Sequence, residues 1–138
     1  MTIEFTTLNW VAVIAAAVAG MVVGIIWYVP MVFGKRWADS VGRPVSTLSS
    51  MTPTTMVGAL IMPLVMAYVL TLLIGGVGAT SLVNGAIVGF LAALGFSSMA
   101  SLNAFIYDGR NANWLTVTAG YQFVALTVIG AIIGYLGA

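Results

Sequence analysis

Apolar side chains along this chain fall into four long runs, and polar positions gather in the stretches between them. About 20 consecutive apolar residues make a helix long enough to cross the hydrocarbon core of a bilayer. The pattern predicts spans over residues 8–29, 55–74, 82–106 and 113–136. The expected fold class is all-α: one domain over residues 1–138, an integral membrane bundle of four transmembrane helices with a short interfacial segment after the first. Pro30 stops the first span, because proline cannot continue the helical hydrogen-bond ladder. Met1 to Asn9 carries Glu4 and no basic residue, so this span reads as a retained helix rather than a cleaved signal peptide. A short interfacial helix and then a Pro/Ser/Thr loop ending at Pro53 are expected next. Pro63 predicts a kink in the second span, and Gly75, Gly76 and Gly78 predict a short turn after it. Thr80 or Ser81 can cap the third span, and Asp108-Gly109 forms a tight turn before the fourth.

Charge adds an orientation. The chain has four basic and three acidic side chains in 138 residues, and none lies inside a predicted span. Lys35, Arg36, Arg43 and Arg110 all sit in the first and third connections, which must share one side if every run crosses. By the positive-inside rule that side is cytoplasmic, both termini are outside, and the location is the cytoplasmic membrane. Trp27, Tyr28, Trp37, Tyr107 and Trp114 then gather at the cytoplasmic level, with Trp10 and Tyr135 opposite. A net charge of +1 gives no reason to expect a nucleic-acid partner.

Helices in lipid associate by close backbone approach and a few polar contacts, so small residues four apart are the signal for packing. The first span carries Ala12, Ala16, Gly20 and Gly24 in one such row. The third carries Gly85, Gly89, Ala93, Ser97 and Ser101, and the fourth carries Gly130 and Gly134. An antiparallel hairpin of spans three and four sets Gly85 opposite Gly134, Gly89 opposite Gly130, Ala93 opposite Leu126, Ser97 opposite Gln122 and Ser101 opposite Thr118. A hydrogen bond from Ser97 to Gln122 would fix that register. The rows on the first helix are not expected all to be used inside one bundle, which points to a homo-oligomer or to another membrane protein as partner.

Chemistry is limited by what is missing. With no cysteine or histidine in the chain and no carboxylate or lysine in a span, no catalytic, metal-binding or cofactor-binding residue is expected. Gln122 is the amide nearest the centre of a span, and Ser97, Ser101 and Thr118 extend its polar character toward the cytoplasm. These four form a candidate polar seam or pore lining. Trp27, Tyr28, Pro30, Phe33, Gly34, Lys35 and Trp37 form a candidate interfacial anchor.

The same residues carry a resemblance. Asn9-Trp10 opens the first span, and the string Trp27-Tyr28-x-Pro30-x-x-Phe33-Gly34-Lys35-x-Trp37 follows. Later come Leu94-Gly95-Phe96, Asn103-x-Phe105 with Arg110, Ala119-Gly120-Tyr121 and Gly130-Ala131-Ile132. Together they resemble, over nearly the whole chain, the bacterial membrane-protein family catalogued as domain of unknown function 1761. The resemblance implies a four-helix membrane protein of the same arrangement and brings no assigned activity. Many relatives carry His after the Gly-Tyr pair where this chain has Gln122, which implies a hydrogen-bonding role open to both side chains.

The leading expectation for function is a non-catalytic oligomeric or accessory membrane component that acts through helix packing. The alternative is a homo-oligomeric channel or facilitator for a small uncharged solute, lined by Gln122 and its hydroxyl neighbours. A third expectation is an anionic-lipid-binding protein using Lys35, Arg36 and Arg43 beside Trp37.

Overall fold

The computed structural model describes residues 3–44, 46 and 52–138, and among these it is helical with no strand. The chain order is α1 (Trp10–Trp27), a π-helical turn (Pro30–Gly34), α2 (Lys35–Val41), α3 (Pro53–Val77) and α4 (Leu82–Ala92). A second π-helical turn (Ala93–Ser97) joins α4 to α5 (Ser98–Tyr107), and α6 (Ala112–Leu136) completes the fold. Four rods result, α1, α3, α4 with α5, and α6, each long and apolar enough to cross a membrane. Every rod begins on a polar cap whose side-chain oxygen accepts a free backbone N–H: Asn9 from Ala12, Thr52 from Thr55, Ser81 from Asn84 and Asn111 from Trp114.

Several local expectations change. Gly75 and Gly76 are helical rather than part of a turn, and α3 ends at Gly78, whose φ of 71° suits a residue without a Cβ. Ser81, not Thr80, caps the next rod. The connection after α1 stays helical through Pro30–Gly34 and α2, with Ala38 buried against the bundle. Most of the Pro/Ser/Thr loop expected before Pro53 lies outside the described residues.

The closest approach is backbone on backbone between α4 and α6. A methyl group added at Gly85 would overlap the carbonyl oxygen of Gly130, and one at Gly89 would overlap that of Leu126. Reciprocally, a methyl at Gly130 would meet the Gly85 carbonyl, and one at Gly134 would meet that of Ser81. Only glycine permits this separation. The expected rows thus meet, with Gly85 against Gly130 and Gly134 and Gly89 against Leu126 and Thr127.

Below that contact the predicted row breaks. Gly85, Gly89 and Ala93 are buried four residues apart, but the next buried positions are Ser98 and Ser101. The π turn is the cause: the Ser98 N–H bonds to Ala93 rather than to Leu94, which inserts one residue and rotates the face that follows. Ser98 therefore takes the inward place expected of Ser97, which is half-buried.

Helix α6 is the hub, in contact with α1, α2, α3, α4 and α5. Around it Val13, Ala16, Ala17, Ala67, Leu70, Ile74, Leu126, Ile129 and Ile133 form one buried cluster. The small residues of α1 are occupied here, contrary to expectation. Ala12 and Ala16 are fully buried, Gly20 faces Ile129 and Pro63, and Gly24 faces the Tyr121 ring. The row on α1 is thus used within the protomer.

Helix α3 joins that cluster for only part of its length. It runs through Pro63, and from Pro63 to Ile74 it buries Pro63, Ala67, Leu70, Thr71 and Ile74. From Pro53 to Met62 nothing is buried and only Gly58 is half-covered. Pro63 is the last point of firm contact, and the half of α3 nearer the basic connections departs from the bundle.

The two kinds of glycine give a test by substitution. Gly89→Ala should lower stability by about 1–3 kcal/mol through overpacking. Gly95→Ala, where an added methyl meets nothing within 4 Å, should be neutral or stabilising by up to about 1 kcal/mol through helix propensity. Thermal unfolding of the two variants in one detergent reads the difference in sign.

Candidate functional site

The basic end of the bundle is built on aromatic contacts. The Trp27 ring lies against Phe33 with centroids 4.4 Å apart, and Tyr28 contacts Trp37 at 6.0 Å and Tyr121 at 5.5 Å. Trp27 Nε1 donates to the Val117 carbonyl oxygen at 3.0 Å. A methyl at Gly120 would sit 2.9 Å from the Trp27 ring, so glycine there lets the indole pack closely against α6. Pro30 opens the π turn that returns the chain over these rings, and Gly34 is buried under it while Lys35 is exposed. The string around Trp27 and the Gly120-Tyr121 pair, far apart in sequence, thus meet at one place.

The hydrogen bonds expected across the polar residues are not made among the described residues. Ser97 and Gln122 share no hydrogen bond, and neither do Ser101 and Thr118. Helical geometry explains why. Gln122 precedes Ala125, Leu126 and Ile129 by three, four and seven residues, so it shares their face of α6. That face enters the buried cluster, which also holds Ala67, Leu70 and Ile74 of α3. One to two turns nearer the basic end α3 has left, and Gln122 is half-buried.

Polar side chains here lack partners among the described residues, Gln122, Ser98 and Thr118 among them. The Gln122 amide makes no hydrogen bond. The Ser98 and Thr118 hydroxyl oxygens are buried without one, Ser98 being 8% exposed. Thr118 lies beside the Tyr28 phenol, but no bond of acceptable geometry joins them. By contrast, Thr71 and Thr116 donate back to the Ala67 and Ala112 carbonyls at 2.7 and 2.8 Å, the usual resolution for a hydroxyl on an apolar helix. Counting from Ala112, Gln122 lies about 15 Å along α6, near the middle of a ~30 Å hydrocarbon core.

A second set of contacts was not legible from sequence. Arg36 Nε donates to Asn113 Oδ1 at 3.0 Å, and Asn111 Nδ2 donates to the Ser40 carbonyl at 2.8 Å. The Arg110 guanidinium lies 5.3 Å from the centroid of the Trp114 ring. These contacts pin α2 to the first turn of α6. The Asp108-Gly109 turn signal placed the start of α6, but nothing local indicates its partner more than 70 residues earlier.

Comparison with known proteins adds a family and no activity. A family model described as "Protein of unknown function (DUF1761)" matches residues 11–134. The chain belongs to that family. No curated protein and no solved structure matches it.

The Trp27 indole supplies a hydrogen bond that phenylalanine cannot. Trp27→Phe should cost about 0.5–1.5 kcal/mol in detergent unfolding, whereas Trp10→Phe, whose ring stacks on Tyr68 without an indole hydrogen bond among the described residues, should leave the midpoint nearly unchanged.

Proposed function

We propose that this member of an uncharacterised family is a non-catalytic protein of the cytoplasmic membrane that binds a small, uncharged, hydrogen-bonding solute beside Gln122 and facilitates its crossing. On this reading the basic end faces the cytoplasm and both termini face outward, because Lys35, Arg36 and Arg110 share that end.

The observation that carries the proposal is the unpaired Gln122 amide on an inward face of α6. In hydrocarbon each unsatisfied polar group costs several kcal/mol, more than the roughly 0.6 kcal/mol typical of an interhelical side-chain hydrogen bond. A mid-span amide set beside a gap is therefore better explained by water and a polar solute than by a packed seam. Thr118, one turn away on the same helix, adds a buried hydroxyl without a partner. The solute is uncharged because the four rods contain no Asp, Glu, Lys, Arg or His to balance a charge.

The gap reaches only part-way. Toward the other end Ile129, Ile133, Leu70 and Ile74 are buried in one cluster, and the glycine contact holds α4 on α6. The structure is on this reading the inward-facing state, and crossing requires α3 to move about Pro63 against that cluster. Packing alone, the leading expectation from sequence, has less support: the small-residue rows are occupied inside one protomer.

The chain has no cysteine, so a single introduced thiol reports its own surroundings. Gln122→Cys in inverted vesicles should react with a small neutral polar thiol reagent added from the cytoplasmic side. Ile129→Cys should be protected, and so should Leu91→Cys, which is exposed only to lipid on this reading. Protection of Gln122→Cys in a folded protein, or equal reaction at Leu91→Cys, would count against a wet route.

A further inference from the structure

The structure holds two guanidinium groups on consecutive residues of one helical turn. Arg36 is bonded through Nε to Asn113, and Arg110 lies over the Trp114 ring. Asn111 fixes the surroundings by donating to Ser40 of α2 while its Oδ1 caps the Trp114 N–H at 2.8 Å. The two cations are therefore positioned by a scaffold rather than free on flexible loops.

Neither contact neutralises them. An amide oxygen and a ring face accept from the guanidinium groups, and no ion pair forms among the described residues. With Nε occupied, the two terminal nitrogens of Arg36 keep their N–H donors, the fork that matches two oxygens of a phosphate. The first turn of α6 adds favourable potential, because its leading N–H groups point toward the same end.

We propose that Arg36 and Arg110, held on Asn113 and Trp114, form a binding site for the phosphate of an anionic phospholipid. Lipid is the source of that phosphate because of what surrounds the site. Trp27, Tyr28, Trp37 and Trp114 lie at the same end, as aromatic residues do at headgroup level. Exposed Ile26, at the end of α1, and Met31, in the π turn before α2, offer apolar surface where acyl chains would run. A zwitterionic lipid satisfies the site less well, since its own ammonium group already offsets the phosphate. This site is separate from the gap beside Gln122 and stands without it. Bound lipid would tie α2 to α6 at the basic end and leave α3 free.

Native mass spectrometry of the full-length protein, titrated with phosphatidylglycerol or with phosphatidylcholine of the same chains, tests it. The protein should prefer phosphatidylglycerol. Arg36→Gln with Arg110→Gln should weaken that binding by roughly thirtyfold, the effect of removing two cations at a membrane surface. Lys35→Gln with Arg43→Gln removes the same charge from positions without these clamps and should cost distinctly less. Arg36→Lys with Arg110→Lys keeps the charge and removes the fork, so it should also weaken binding and serves if the glutamine pair fails to fold. Equal affinity for the two lipids, equal loss in the glutamine pairs, or displacement by inorganic phosphate at matching concentration would each overturn the proposal.

Discussion

A bilayer gives two apolar helices no hydrophobic reason to associate, so the contact that organises this protein is the one where α4 and α6 bring their backbones together. Gly85, Gly89, Gly130 and Gly134 make it possible, since any Cβ at these places would meet a carbonyl oxygen or main chain. Dispersion between closely packed main chains, together with the lipid released, then supplies what hydrophobic exclusion cannot. That contact fixes the register of the hairpin and sets α6 at the centre, where α1 and α3 complete the buried cluster.

The arrangement is unequal along its length. One half is closed by glycine contact and by Leu70, Ile74, Ile129 and Ile133. In the other half α1 stays on α6 through Trp27 on Gly120 and Tyr121 on Gly24, while α3 leaves after Pro63. A face that is buried and apolar at Ile129 carries the half-buried Gln122 amide two turns nearer the basic end, where α3 has left. Chemistry and geometry change at the same level, and this coincidence is what the functional reading rests on.

Much of this was legible in the residues. Four apolar runs bounded by Asn, Thr, Ser and Pro became four rods, because length in lipid and backbone capping are local properties. The glycine rows were readable because backbone approach needs small residues at the helical repeat, and no other requirement produces that spacing so regularly. The polar site was read only as a set of residues. A π turn inserts one residue into the hydrogen-bond ladder without altering composition, so Ser98 rather than Ser97 turned inward. The departure of α3 depends on how three helices meet at Gly20, Pro63 and Ile129, which no single helix encodes. The Arg36–Asn113 and Asn111–Ser40 bonds join distant segments and had no sequence signal at all.

The central claim is that α3 and α6 are packed at one end and apart at the other. Paired spin labels in the cysteine-free chain measure this directly, one pair at Val77 and Tyr135 and the other at Met56 and Thr116, all exposed positions. The account predicts a longer and broader distance distribution for the Met56 and Thr116 pair. Equal, narrow distributions at both ends would mean that α3 covers Gln122 along its length, and would contradict it.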